Sequence, residues 1–400
     1  MKVITDKNKI DDLLTRGVEN IYPDKKKLEE LLLSGKKIRL YCGYDPTASS
    51  LHIGHGITIR KLAKFIELGH HVMFLFGDFT ATIGDPTDKA ATRQPLTHNQ
   101  VKENLKGWKK QIKNIIDVDK IEFTFNSDWL KKLSLADAVN ISSNFTVQQM
   151  LDRDMFDKRL KDGKPIHLHE FFYPLLQAYD SVAMDVDLEI GGNDQTFNML
   201  AGRTLMKAVK GKEKYVLTTK LLEDPTGKKM GKSEGNMIRL DDRPEDMYGK
   251  VMSWPDEMII PAFEILTDVE MNKVKGYEKD LKSDKVNPKD LKMELAHSVV
   301  SVFLGETKAD QAQQSFERVF VEKKIPADMP EVIVKEKKLG VLDLFVSANL
   351  APSNSQVRRL ISEGAIRIND DKITNPDLVV EIEDDMVLQK GKKSFVKIKK

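Results

Sequence analysis

Apolar and polar residues change period along this chain, and the changes mark its elements. Up to Gly35 the pattern is that of a charged amphipathic helix, with Leu28, Leu31 and Leu32 as its buried stripe. From Ile38 the period drops to two: Ile38, Leu40 and Cys42 alternate with polar neighbours, as strand residues do. Gly43 and Asp45-Pro46-Thr47 turn the chain, and Ile59, Leu62, Ala63 and Ile66 then recur at helical spacing up to a capping Gly69. Val72-Met73-Phe74-Leu75-Phe76 is an unbroken apolar run, the pattern of a parallel strand covered on both faces. Strand, helix and strand in this order predict a right-handed crossover and an α/β, Rossmann-like parallel sheet. Residues 100–116 and 128–160 are polar and helix-forming, and they flank a short strand candidate at 121–125, as an insertion joining two halves of a sheet would. Further strands are expected at 187–190 and 218–222, with a helix between them to about Val209.

From Pro244 to about Phe320 the pattern is helical, with a break at Trp254-Pro255. His297, inside this stretch, is expected to be structural. Pro326, Pro330 and the charged run through Lys338 read as a linker. Beyond it, two short helices and a hairpin around Asn369-Asp370-Asp371 predict a separate small α+β module, with Ser353 or Ser355 as an N-cap and Gly364 as a terminator. The expected organisation is a parallel-sheet domain at 1–243, a helical domain at 244–325, a linker at 326–338 and the module at 339–400.

Four hundred residues exceed what one core serves, which agrees with this division. The formal net charge of +2 leaves no global field for nucleic acid, so such a surface must be a local patch. Six lysines between Lys390 and Lys400, with no acid among them, offer one. The single cysteine, Cys42, allows no internal disulfide, and no apolar run has the length of a membrane span. With no signal-peptide pattern in residues 1–12, a soluble, cytoplasmic protein is expected.

Candidate chemistry gathers where strands end. Leu51-His52-Ile53-Gly54-His55 sits at a helix start, where free N–H groups and the helix dipole favour an anion. His52 and His55 share one face, and Gly54 leaves bare ground between them for a flat ring or ribose. The polar segment from Gly77 to Lys89 follows the second strand at the edge where open α/β sheets bind ligands, and Lys89 and Arg93 could present charge to phosphate. Tyr173, Gln177 and Asp180 form a polar stripe on an otherwise apolar helix, and a buried stripe must find hydrogen-bond partners. Gly191-Gly192 at a strand end permits close approach of a ribose, with Asp194 near to accept its hydroxyls. The basic, glycine-rich string from Lys228 to Asn236 has the composition of a phosphate clamp.

The 51–55 string resembles the HIGH signature of class I aminoacyl-tRNA synthetases, and Lys229-Met230-Gly231-Lys232-Ser233 resembles their KMSKS loop with Gly in third place. The blocks around Asp85, Tyr173 and Gly191 resemble those of tyrosyl-tRNA synthetases, and the resemblance extends over essentially the whole chain. It implies a ligase that joins tyrosine and ATP into tyrosyl-adenylate and then charges tRNA. It also implies residue roles. Tyrosine would be held by Tyr41, Asp45, Asp85, Tyr173, Gln177, Asp180 and Gln195, with Tyr41 and Asp180 on the phenol. ATP would be held by Cys42, Gly43, Asp45, Thr47, His52, Gly54, His55, Gly191, Gly192, Asp194, Lys229, Lys232 and Ser233. Charge in the transition state would fall to Thr47, His52, His55, Lys89, Arg93, Lys229 and Lys232. Magnesium would arrive on ATP, since no carboxylate cluster reads as a dedicated cage. The C-terminal module resembles an S4 RNA-binding domain with Arg358 and Arg359 on its second helix, though Asn-Asp replaces the usual Asn-Gly turn. A homodimer is implied by the resemblance alone. Two alternatives are a tryptophanyl-tRNA synthetase, which should lack the S4-like tail and an Asp at position 180, and a non-catalytic RNA-binding protein on a synthetase shell.

Overall fold

The computed structural model describes residues 2–85, 97–151, 154–224, 237–318, 329–334, 336–369, 371–391 and 394–399. The chain divides into two compact units, residues 1–310 and 311–400.

The first unit is built on a six-stranded sheet in the order β1-β6-β5-β2-β3-β4. These strands are β1 (Val18–Tyr22), β2 (Arg39–Tyr44), β3 (His71–Phe76), β4 (Ile121–Phe125), β5 (Leu188–Gly192) and β6 (Tyr215–Thr219). All neighbours are parallel except β1, which runs antiparallel to β6 at the edge. The unbroken apolar run of β3 is buried from Val72 to Phe76, as a strand covered on both faces should be. Phe74 stacks on Tyr44 at 4.3 Å between ring centres, and Phe76 stacks on Phe123 at 5.7 Å.

Strand order reverses between β2 and β5, because β3 and β4 build outward on one side and β5 and β6 on the other. Pairing between β2 and β5 is confined to Leu40 with Leu188 and Tyr41 with Glu189. The carboxyl ends of these two strands therefore border the switch-point crevice in which such sheets take ligands. Both candidate turns, after Tyr44 and after Gly192, lie there.

The N-terminal segment departs from the expected single helix. Two capped helices, Lys7–Thr15 and Lys25–Leu33, flank β1. Leu28 and Leu32 are fully buried and Leu31 only partly. β1 escapes the alternation test because only one side of an edge strand is paired, and its sequence Val-Glu-Asn-Ile-Tyr mixes exposed and half-buried positions. β5 and β6 are offset from the expected 187–190 and 218–222; β6 starts soon after Gly211 closes the preceding helix at φ +62°.

The helices after Pro244 belong to the same unit as the sheet, so compactness draws no boundary at 243. Arg16 donates to the carbonyls of Glu264 and Thr267 at 2.9 and 2.6 Å. Gly56, in the Ile53–Glu67 helix, lies against Phe303 of the Pro288–Leu304 helix so closely that a Cβ would strike the ring.

The second unit is strand-rich. β7 (Glu331–Ile333), β9 (Ile366–Ile368), β10 (Asp371–Lys372), β12 (Val387–Lys390) and β13 (Ser394–Lys399) form a sheet in the order β10-β9-β12-β13-β7, and β8 (Lys338–Gly340) pairs with β11 (Val379–Glu381). Residues 331–333, expected in a linker, instead pair in parallel with β13 and belong to the module. The helices Val341–Ser347 and Asn354–Ser362 pack Phe345 and Val357 on a core with Ile366, Leu388 and Ile398. Ser353 caps the second helix, Gly364 ends it at φ +68°, and Asn369 makes the hairpin turn at φ +48°.

Candidate active site

The turn after β2 is tied down by one carboxylate. Asp45 accepts from the Tyr173 hydroxyl at 2.9 Å and the Thr80 hydroxyl at 2.8 Å. Any side chain at Gly77 would collide with Asp45, so a glycine lets the β3 end press against that turn. Asp85, from the segment after β3, accepts from Gln195 at 2.7 Å. Burial raises the Tyr173 phenol well above its ordinary pKa, and the negative charges of Asp45, Asp85 and Asp180 raise it further. These carboxylates make the crevice acidic around one buried tyrosine, a setting that favours a cationic group such as an ammonium.

The stripe on the His169–Met184 helix faces inward. Tyr173 and Asp180 are buried, at 6% and 2% exposure, and Gln177 is half-buried. Asp180 accepts from the Trp129 indole at 2.7 Å and from the Asn126 amide at 3.3 Å. Burial, helped by the charges of Glu189 and Asp45, raises its carboxyl well above the ordinary range, and these two donors offset only part of the rise. Each of its oxygens already receives an N–H, so the carboxyl is held as an acceptor by neutral donors on this side. Asn126 also donates to Thr80 at 3.0 Å and accepts from the Phe79 N–H at 2.9 Å. Neither Asn126 nor Trp129 was singled out from sequence; the available signal was their position directly after β4, at the same sheet edge as the other site residues.

Tyr41 is fully buried, and its hydroxyl lies 2.9 Å from Ser181 Oγ. Asp180 and Glu189 are near enough for their charges to raise the Tyr41 pKa beyond the larger effect of burial. Gln177 donates to Glu189 at 3.1 Å. Cys42, expected near ATP, is buried too, with its thiol pushed up to about 12 by desolvation. It is a protonated, inert thiol, and only the neighbouring Gly43 is exposed on that strand.

His52 caps the Ile53–Glu67 helix, and its N–H donates to His55 Nδ1 at 3.1 Å while the two rings stack at 3.7 Å. The His52 ring covers Gly54: a Cβ there would sit 3.0 Å from the imidazole. The bare ground expected at Gly54 is thus filled by the signature's own histidine. Thr47 lies in the same turn, its N–H on the Asp45 carbonyl at 2.7 Å. Across the crevice, a Cβ on Gly192 would meet Asp194 and Leu221, and one on Gly191 would meet Met199, so both glycines are required by close packing.

Lys89, Arg93, Lys229, Lys232 and Ser233 lie outside the described residues. The chain that follows the lysine string is nonetheless anchored at the histidines: the Ile53 N–H donates to the Ile238 carbonyl at 2.9 Å and the Leu240 N–H to the Leu51 carbonyl at 2.8 Å. Residues 238–240, beyond the lysine string, therefore share one backbone ladder with the histidine signature.

A group away from the crevice could also hold a metal ion. His297, Glu306 and Asp310 bring one ligand atom each within 4.8 Å of one another, with His297 Nε2 2.8 Å from Asp310. In the second unit, Arg358 and Arg359 are exposed and make surface pairs with Asp377 at 3.3 Å and Glu363 at 3.4 Å. The local patch offered by the lysines between Lys390 and Lys400 is partly neutralised from outside the run: Asp385 pairs with Lys397 and Lys399, which hold its carboxyl down to about 2.

Comparison with known proteins narrows the reading in two steps. Residues 33–321 match the family model of class I tRNA synthetases for tryptophan and tyrosine, which leaves two amino acids open. Residues 321–398 match the C-terminal domain model of SYY-like tyrosine–tRNA ligases. The tyrosine–tRNA ligase of Moorella thermoacetica is 41% identical over 390 residues, covering 96% of this chain and 94% of the relative. This chain belongs to the tyrosine–tRNA ligases. That of Thermotoga maritima is 42% identical over 387 residues, covering 96% of both chains. Among solved structures, a C-terminally truncated mitochondrial tyrosyl-tRNA synthetase of Coccidioides posadasii superposes with a TM-score of 0.62 at 25% identity, over 76% of this ligase and 91% of that chain.

Proposed function

We propose that the switch-point crevice binds tyrosine with its phenol at Asp180 and Tyr41 and its ammonium among Asp45, Asp85, Tyr173 and Gln177. The observation that carries this reading is the buried Asp180 carboxylate, which Asn126 and Trp129 hold beside Tyr41. ATP lies across the two strand ends, its ribose toward Asp194 and its phosphates toward Thr47, His52 and the helix start. In the first step a tyrosine carboxylate oxygen attacks the α-phosphorus and the bond to the departing pyrophosphate breaks. No protein nucleophile is needed, so catalysis consists of positioning two anions and stabilising charge on the transferring group. Magnesium enters on ATP as part of the substrate. Lys89, Arg93, Lys229, Lys232 and Ser233 are assigned to the phosphates on resemblance. In the second step a terminal ribose hydroxyl of the tRNA attacks the tyrosyl carbonyl and AMP leaves. Arg358 and Arg359 contact the tRNA backbone, since lone surface pairs are worth about 0–1 kcal/mol and are readily exchanged for phosphate.

A homodimer is the second part of the proposal. Leu135, Val139, Val147, Leu168 and Phe172 are all exposed, Leu135 to 83% and Leu168 to 79%, within the segment inserted between β4 and β5. A second copy of this chain is the occupant that would cover them. No helix among the described residues is long and apolar enough to cross a membrane. We place this ligase in the cytoplasm, with its substrates. ATP–pyrophosphate exchange with each amino acid in turn tests the site: tyrosine alone should support it efficiently, and efficient exchange with tryptophan or with none would refute the assignment.

A further inference from the structure

Behind the Tyr41 hydroxyl lies a buried ion pair that the reaction leaves without a task. Lys214, immediately before β6, is fully buried with its ammonium on the carboxylate of Glu189 in β5, itself 1% exposed. Desolvating two charges costs several kcal/mol per ion, and apolar residues of similar volume often serve stability as well. Position and direction are what such a pair supplies here. The three N–H groups of Lys214 meet Glu189 Oε2, Ser181 Oγ at 2.8 Å and the Met199 carbonyl at 3.2 Å. An ammonium only donates, so Ser181 Oγ accepts from it and keeps one hydrogen to give. Its two choices are Tyr41 at 2.9 Å and Glu189 at 3.4 Å. The second is long for an O–H donor, and that carboxylate oxygen already receives Lys214. Once Ser181 donates to Tyr41, the Tyr41 oxygen is an acceptor on that side, and its own proton is left either for the Glu189 carboxylate, already engaged by Lys214 and Gln177, or for a ligand. Gly202 makes room for the arrangement, because a Cβ there would run into Lys214 Nζ and Ser181 Oγ.

We propose that Lys214 and Ser181 are positioning residues that orient the Tyr41 proton toward the substrate phenol oxygen, and so help select tyrosine over phenylalanine. The inference rests on the reading of the crevice as the tyrosine site. Every hydrogen bond in the chain then runs one way: Lys214 to Ser181, Ser181 to Tyr41, Tyr41 to the phenol oxygen, and the phenol proton to Asp180. A charged donor begins the chain and a carboxylate ends it, which strengthens the bonds between them. Glu189 balances the ammonium and, through Gln177, ties the same anchor to the other end of the site.

The test is Ser181→Ala in the full chain, beside Tyr41→Phe, with kcat/KM for tyrosine and for phenylalanine read by pyrophosphate exchange. Alanine removes one hydroxyl and leaves Lys214 its Glu189 and Met199 partners, so no buried charge is stranded. Loss of one neutral hydrogen bond of the usual net strength lowers the tyrosine-to-phenylalanine ratio about two- to tenfold, through tyrosine KM more than kcat. A ratio unmoved in Ser181→Ala but lowered in Tyr41→Phe overturns the chain and leaves the tyrosine site standing. Equal losses for both substrates also overturn it, since they mark a role in packing alone. A ratio unmoved in both variants overturns the phenol reading as well.

Discussion

Asp180 bears most of the proposed site, because it brings a carboxyl into a buried pocket where its donors are the neutral Asn126 and Trp129. Replacing it with Asn keeps the shape and removes the charge. A hydrogen bond to a charged group is worth about 1.5–3 kcal/mol, so Asp180→Asn should reduce discrimination against phenylalanine by at least about tenfold, more than Tyr41→Phe does. The comparison of kcat/KM ratios checks this, and equal ratios in wild type and Asp180→Asn would remove the residue from the phenol. His70 gives a separate test at the same scale. Its Nδ1 accepts from the Ile38 N–H at 3.5 Å, and its buried Nε2 has no partner among the described residues. Desolvation, with a smaller push from Lys37, lowers its pKa from 6.5 to about 4. A lowered value means that the unfolded chain takes up this proton first as pH falls. Stability from His70 is therefore complete above about 6.5 and is lost as pH drops through about 4. His70→Asn keeps an acceptor for Ile38 and should flatten the fall of the urea midpoint between pH 7 and 4; an unchanged slope would show that other groups set it.

At the scale of elements, helix contacts place the strand ends. Alanine ordinarily gains about 1 kcal/mol over glycine inside a helix. At Gly56 the added methyl meets the fully buried Phe303 ring, and overpacking costs about 1–3 kcal/mol. Gly56→Ala should thus be destabilising in a denaturant melt, with Phe303→Leu partly restoring it; a stabilised Gly56→Ala would show that the two helices shift freely. Much of this architecture was legible in sequence. The period change from β2 into its helix, the apolar run of β3 and the 173/177/180 stripe each follow from one element's own pattern. What escaped depends on partners distant in the chain. β1 is recognisable only by its pairing with β6. Glu189 and Lys214 carry no signal in the sequence that pairs them before the fold brings them together, and Gly54 reads as space for a ligand until the His52 ring is seen over it.

At the scale of the whole molecule, the proposed activation site and the module matched by the C-terminal family model fall in different units. All described residues assigned to tyrosine and ATP fall in residues 1–310, and Arg358 and Arg359 fall in the second unit. Because β7 is part of that unit's sheet, a clean cut falls after Arg318 rather than after Lys338. The chain 1–318 should form tyrosyl-adenylate at close to the full rate and fail to charge tRNA at ordinary salt; full charging would show that the module is dispensable for RNA. Replacing both Leu135 and Val139 by Asp should shift the mass in solution from two chains to one, and a wild type already of one-chain mass would refute the dimer. The most direct test of the whole account is pyrophosphate exchange by the intact chain with tyrosine and phenylalanine side by side. Tyrosine–tRNA ligases are themselves the standard example of a site that rejects an analogue lacking a hydroxyl, by about 10⁵. A preference for tyrosine of that order, collapsing in Asp180→Asn, is the result expected. Comparable exchange with both amino acids, or a preference that survives Asp180→Asn intact, would contradict it.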